Sequence, residues 1–130
     1  MGLMSGRAKF LVAYDGSDFS NRALKEALEH AKKFSGQVTV LNVCWEKSDD
    51  ESRYMLKGAE KLLKEAGVKY ALRSERDPNA PARILKIAKD EGFDYIVVGS
   101  RGEGRTREWL LGSVSSKVVA EAECPVIVTK

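Results

Sequence analysis

The amino-acid sequence predicts an α/β fold, a three-layer open sandwich in which a five-stranded parallel sheet in the order 3-2-1-4-5 carries helices on both faces. Three observations lead there. Short β-branched runs alternate with segments whose apolar residues recur every three or four positions, the pattern of strands joined by helical crossovers. The run Tyr95-Ile96-Val97-Val98 is unbroken apolar, as a strand buried on both faces requires. In that order the winding reverses between strands one and four and opens a crevice at their carboxyl ends, where ligands of such sheets bind, and polar, glycine-rich segments follow both of these strands.

Lys9 to Tyr14 is an apolar run that stops at the turn formers Asp15-Gly16-Ser17, which makes it strand one. From Phe19 to Phe34, the positions Phe19, Ala23, Leu24, Ala27, Leu28, Ala31 and Phe34 trace one helical face, with Ser17 or Asp18 as N-cap and Gly36 beyond the end. Gln37 to Cys44 is β-branched and reads as strand two. Met55, Leu56, Ala59, Leu62, Leu63 and Ala66 give helix two, stopped by Gly67, and the charged stretch Glu46 to Ser52 reads as a loop. Val68 to Ser74 follows as strand three. Asn79 and Pro81 open helix three, whose face is Ile84, Leu85, Ile87 and Ala88, and Gly92 closes it. Asp94 to Val98 is strand four. Helix four starts near Ser113 with Val114, Val118 and Ala122 inward, and Pro125 to Thr129 supplies strand five. Strands one, two and four form the centre of the core.

The 130 residues fit one domain, residues 1–130, with no linker and no internal repeat. Hydrophobic residues at 43% and charged residues at 32% match a globular protein, and no apolar run approaches the ~20 residues that span a bilayer. Met1 to Arg7 has no apolar stretch of the secretory kind, so the expected location is the cytoplasm, away from membranes. Twenty-two Lys and Arg against nineteen Asp and Glu leave +3, scattered without a basic block, which gives no support to nucleic-acid binding. Cys44 and Cys124 are too far apart for a CxxC metal pair and read as buried, reduced thiols. His30 is expected to have no acidic or cysteine company within its helix, so it reads as a packing or solvent-facing residue. Trp45 and Trp109 read as packing or interface anchors, since neither is interleaved with a basic stripe.

The chemistry concentrates in two segments at the crevice, Tyr14-Asp15-Gly16-Ser17 and GSRGEGRTREWLLGSVSS from Gly99 onward. In the second, Gly99 and Gly102 let backbone approach a bulky ligand and permit φ > 0 in a tight loop, while Gly112 leaves the head of the last helix unblocked. Amides near Ser113, Val114 and Ser115, together with the positive end of the helix dipole and the hydroxyls of Ser113 and Ser115, suit phosphate oxygens. No GxxxxGK[ST] occurs, which excludes a Walker-type loop. No GxGxxG follows strand one, which argues against a dinucleotide.

With Gly99, Gly102, Gly112 and Ser113 spaced as Gly-x2-Gly-x9-Gly-Ser, the chain resembles the ATP-binding branch of the universal stress protein family. The opening LVAYDGSDFSNRALKEAL, the IVVGSRG at strand four and the closing CPVIVTK carry the same resemblance, and only about Trp45 to Asp77 matches weakly. The resemblance implies an ATP-binding, non-enzymatic regulatory module of the stress response. By position, Ala13, Tyr14 and Asp15 would flank base and ribose, Val43 would touch the base, and Val98 and Gly99 would lie beside the ribose. Gly102, Gly112, Ser113, Val114 and Ser115 would hold the phosphates, with Mg2+ chelated mainly by phosphate oxygens. Arg101, Arg105 and Arg107 either supplement the phosphate clamp or form a solvated face balanced by Glu103 and Glu108. Asp15 either hydrogen-bonds the nucleoside or caps helix one and its turn.

One other reading stays open on the residues, and a second is disfavoured by them because only Asp15 of its acidic set is there. A slow Mg2+-dependent ATP-hydrolysing enzyme on the same fold would need Asp15 for phosphate release. A receiver-like signalling domain, taken to share the strand order, needs an acidic cluster at strand one and an aspartate ending strand three, where Ser74-Glu75 stands. Strand five is an apolar edge, and unprotected edges pair, so a homodimer through it is expected, as the resemblance also implies.

Overall fold

A computed structural model describes residues 7–101 and 111–130 of the chain. Five strands and four helices alternate: β1 (Lys9–Ala13), α1 (Asp18–Phe34), β2 (Gln37–Cys44), α2 (Asp49–Ala66), β3 (Lys69–Arg76), α3 (Ala80–Asp90), β4 (Tyr95–Gly99), α4 (Ser113–Glu121) and β5 (Val126–Thr129). The strands pair in the order β3-β2-β1-β4-β5, every pair parallel, which is the predicted α/β architecture. Because side chains alternate across a strand, β1 sends Phe10 and Val12 to one face and Leu11 to the other. The first face packs on α1 and α2 through Leu24, Leu28, Leu56 and Leu63; the second packs on α3 and α4 through Ile84, Ile87 and Val118. Burial of each such side chain contributes about 1.5–3 kcal/mol, so the paired faces hold the sheet between its helix layers.

Local chemistry sets the helix starts. The Ser17 hydroxyl accepts from the Ser20 amide at 3.2 Å to cap α1. Asn79 caps α3 by accepting from the Ala82 amide at 3.1 Å, with Pro81 in the first turn, where its missing N–H costs no helical bond. At the far end of α1, the left-handed cap position is taken by Ser35 (φ 52°), with Gly36 one residue beyond.

The largest departure from expectation is at α2, which spans Asp49–Ala66. The stretch Glu46 to Ser52, expected as a loop, contains the helix start. Ser48 accepts from the Glu51 amide at 3.1 Å while the Glu51 carboxylate accepts from the Ser48 amide at 3.0 Å, a reciprocal capping box. Asp49, Asp50 and Glu51 then complement the helix dipole in the first turn. Strand β3 also runs two residues beyond the expected Ser74, to Arg76, because its register against β2 continues through Cys44↔Arg76. Asp77 therefore follows that strand, where it accepts from Arg83 at 3.1 Å. The receiver reading falls on topology instead. Receiver sheets run 2-1-3-4-5, not 3-2-1-4-5, so the expected shared strand order was mistaken.

Both cysteines are half-buried thiols rather than buried ones. His30 is a packing residue, its ring 6.1 Å from that of Phe10 and its Nδ1 2.9 Å from the Glu26 carbonyl, but its helix does supply acidic company, contrary to expectation, with the Glu26 Oε2 3.4 Å from Nδ1. Trp45 is exposed, with the Arg76 guanidinium 6.0 Å from its ring. Trp109, Arg105 and Arg107 lie outside the described residues. No helix among the described residues is long and apolar enough to cross a membrane.

Candidate functional site

The carboxyl ends of β1, β2 and β4 open into a cleft of about 320 Å3 on the α3/α4 side of the sheet. Its position follows from the strand order: β1 and β4 are neighbours whose following helices go to opposite faces, so their loops diverge and leave a gap. The apolar part is built by Ala13 from β1, Leu41 and Val43 from β2, Val98 from β4, Ala80 and Ile84 from α3, and Val114 from α4. The polar part is Asp15, Ser20, Arg101 and the head of α4 from Gly112 to Ser115. The lining therefore combines apolar side chains with polar and charged groups.

Eleven of the twelve residues assigned to the site from sequence line this cleft: Ala13, Tyr14, Asp15, Val43, Val98, Gly99, Arg101, Gly112, Ser113, Val114 and Ser115. Gly102 lies outside the described residues. Ser20, Leu41, Ala80 and Ile84 were missed, although each carried a signal. Leu41 is two residues before Val43 and so on the same face of β2, and Ile84 follows Ala80 by one helical turn. Ser20 lies three residues after the α1 cap.

Gly99 proves to have a reason other than the positive φ expected of it, while Gly112 leaves the head of α4 without a side chain, as expected. Gly99 and Gly112 do not adopt positive φ. A Cβ on Gly99 would sit 2.8 Å from the backbone of Phe19, so this glycine lets the head of α1 press on the end of β4. A Cβ on Gly112 would meet the Arg101 Cα at 3.2 Å, which ties the head of α4 closely to the strand-four exit. The Gly112 amide donates to the Ser100 carbonyl at 2.6 Å, and the Ser100 amide donates to the Thr129 carbonyl at 2.7 Å. These bonds fix α4 relative to β4 and β5.

Helix α4 differs from the other three at its start. Ser17, Ser48 and Asn79 cap α1, α2 and α3 with side-chain oxygens, whereas Gly112 caps α4 with no side chain. Its first intrahelical bond is donated by Ser116 to the Gly112 carbonyl, so the amides of Ser113, Val114 and Ser115 precede the helical ladder and head the cleft. One expected donor is spent elsewhere. The Ser115 hydroxyl is buried and directed at the Ser100 carbonyl at 2.8 Å and the Gly112 carbonyl at 3.2 Å, so it closes the loop stem instead of reaching outward. Ser113 is exposed at the helix head.

At the opposite lip, the Asp15 carboxylate accepts from the Ser17 amide at 2.9 Å, a turn role, while the residue also lines the cleft. Tyr14 packs its ring in the core on the α1/α2 face, where its hydroxyl donates to the Asn21 Oδ1 at 2.7 Å. Burial, and next the Asp15 charge, push its phenol above the ordinary range, so it remains a neutral donor. What Tyr14 offers the cleft is backbone. The Arg101 guanidinium lies 4.9 Å from the Phe19 ring. Among the described residues no cluster of His, Cys, Asp or Glu is arranged to hold a metal ion.

Comparison with known proteins agrees with this geometry. The universal stress protein family model matches residues 6–130. Universal stress protein MJ0531 of Methanocaldococcus jannaschii is 33% identical over 140 residues, covering 94% of this chain and 81% of the relative. Universal stress protein YxiE of Bacillus subtilis is also 33% identical, covering 94% of this chain and 98% of the relative. Among solved structures, MJ0577 of M. jannaschii matches with a TM-score of 0.84 at 29% identity over 97% of both chains. The universal stress protein of Archaeoglobus fulgidus in complex with dAMP shares the fold, with a TM-score of 0.80 at 24% identity over 97% of this chain and 100% of that one. With the family model spanning all but the first five residues, the chain belongs to the universal stress protein family.

Proposed function

We propose that this chain is an ATP-binding regulatory module of the stress response, working in the cytoplasm as a homodimer. The observation that carries the reading is an α4 head without a side-chain cap, opening onto a cleft that is also lined by apolar side chains. The two kinds of lining complement the two ends of a nucleotide. Leu41, Val43, Ala80 and Ile84 would receive the base, and Asp15 supplies an acceptor suited to a ribose hydroxyl. The amides of Ser113, Val114 and Ser115 would receive phosphate oxygens, helped by the helix dipole and the Ser113 hydroxyl. Gly99, Gly102, Gly112 and Ser113 carry the spacing of the ATP-binding branch. Bound Mg2+ would be held through the phosphates, since hard cations take oxygen ligands and the only carboxylate lining the described cleft is Asp15.

A crystal soaked with ATP and Mg2+ tests this directly. Phosphate density within hydrogen-bond distance of the α4 amides is expected; an empty cleft at millimolar ATP would reject the assignment. Slow ATP hydrolysis is the second reading, favoured only by a carboxylate in the same cleft. It requires Mg2+-dependent phosphate release that Asp15→Asn abolishes. The dimer reading rests on β5, a sheet edge whose four residues are all half-buried. Light scattering is expected to give twice the chain mass at micromolar concentration, and the mass of one chain would contradict it.

A further inference from the structure

Two buried polar side chains outside the sequence-assigned site act on the same peptide group at the lip of the cleft. Asn42, on β2, is 3% exposed and donates from Nδ2 to the Tyr14 carbonyl at 2.9 Å. Ser20, in the first turn of α1, is 4% exposed, and its hydroxyl oxygen accepts from the Asp15 amide at 3.3 Å. That carbonyl and that amide belong to one peptide bond, so its two ends are held from different elements, β2 and α1. The Ser20 hydroxyl also donates to the Ser17 carbonyl at 3.0 Å, and the Tyr14 amide donates to the Leu41 carbonyl at 2.9 Å. Little rotational freedom is left to the peptide that carries Asp15.

Asn42 fits a positioning role better than a packing role. Its Oδ1 is buried with no hydrogen-bond partner among the described residues, a cost that an apolar residue in this cluster would avoid. Its Nδ2 makes one further contact, to the Met55 Sδ at 3.6 Å. What the amide accomplishes in return is orientation of the Tyr14 carbonyl away from the cleft.

We propose that Asn42 and Ser20 are positioning residues that lock the Tyr14–Asp15 peptide, and through it set Asp15 for the nucleoside end of the ligand. This rests on the nucleotide reading above. Ser20→Ala and Asn42→Leu are each expected to weaken ATP binding about five- to tenfold, the loss expected for one hydrogen bond. Because both act on one peptide, the double variant is expected to lose little more than the larger single loss. On an Asp15→Ala background, Ser20→Ala is expected to change the affinity less than twofold.

Titration calorimetry of the full chain with ATP, well below each variant's melting temperature, reads these affinities. A merely structural role predicts lower melting temperatures with unchanged Kd. Amide exchange by NMR without ligand gives a second reading: Asp15 N–H is expected to be protected in wild type and to exchange at least tenfold faster in Ser20→Ala. If wild type binds ATP and both single variants bind it equally well, the positioning role is overturned and the nucleotide reading survives. If wild type fails to bind ATP, the nucleotide reading itself is overturned, whatever the exchange data show. Should Asn42→Leu fail to fold, Ser20→Ala decides the matter alone.

Discussion

Replacing glycine by alanine is expected to have opposite consequences at two positions of this chain. At Gly99 a new Cβ would stand 2.8 Å from three atoms of Phe19, two of them backbone. Backbone cannot swing aside as a long side chain can, so α1 must retreat from β4 and the contacts around it loosen. Overpacking of this kind costs about 1–3 kcal/mol. Gly58 lies within α2, exposed, and a Cβ there meets nothing within 4 Å. Alanine at an exposed helix interior stabilises by roughly 0.5–1 kcal/mol, because it removes backbone freedom from the unfolded chain without strain in the folded one. With about 2.1 cal/mol/K of unfolding entropy per residue, each kcal/mol moves the melting temperature of a domain this size by roughly 4 °C. Gly99→Ala is therefore expected to melt about 4–12 °C below wild type, and Gly58→Ala about 2–4 °C above it. Thermal unfolding by circular dichroism, with urea midpoints as a check, measures both. Equal melting temperatures for wild type and Gly99→Ala would refute the close approach of Phe19 as the reason for this glycine.

Two further outcomes concern the helix starts and acid. Ser48→Ala removes one half of the α2 capping box and is expected to cost about 1 kcal/mol, read as a fall of roughly 4 °C in thermal melting. Glu51, Asp77 and Glu91 all titrate below the ordinary carboxylate range, held down chiefly by the Ser48 amide, the Asn79 amide and the Arg73 guanidinium respectively. A depressed folded pKa gives stability that is present above the unfolded value of about 4 and is lost as pH falls through the lower folded values. Melting temperature is thus expected to hold from pH 7 to about 5 and to fall below about 4, with Glu51→Gln removing part of that fall.

The fold was legible because each level of the sequence agreed with the next. β1, β2 and β4 are short apolar runs bounded by turn formers, and α1 and α3 carry caps beside clean helical periodicity, so order and faces followed. The start of α2 was missed because attention to apolar periodicity begins at Met55, while the signal lay in Ser48 and Glu51, whose reciprocal bonds do not depend on hydrophobicity. Strand β3 was cut short for a related reason. Its last residues, Glu75 and Arg76, are charged, yet they continue the ladder because β3 is an edge strand that exposes one side.

The cleft was legible in its motif and less so in its walls. Glycine spacing identified the head of α4, but Gly99 owes its identity to Phe19, a contact between α1 and β4 that no local pattern encodes. Ala80 and Ile84 entered from α3, 19 and 15 residues before Gly99, and only the packing of that helix brings them over the cleft. Ser115 was read as a ligand donor; its bond to Ser100, 15 residues earlier, appears only once the loop is closed. Asn42 reads in sequence as one polar residue in an apolar strand, and its partner is 28 residues away.

Titration calorimetry of ATP into the wild-type chain and into Gly112→Val, with Mg2+ present, tests the central claim most directly. The branched side chain would crowd the α4 head where a Cβ already approaches the Arg101 Cα at 3.2 Å. Saturable binding to wild type with at least a tenfold loss in a folded Gly112→Val, about 1.4 kcal/mol, is the predicted result. Identical isotherms for the two proteins, or no heat of binding to wild type, would contradict it.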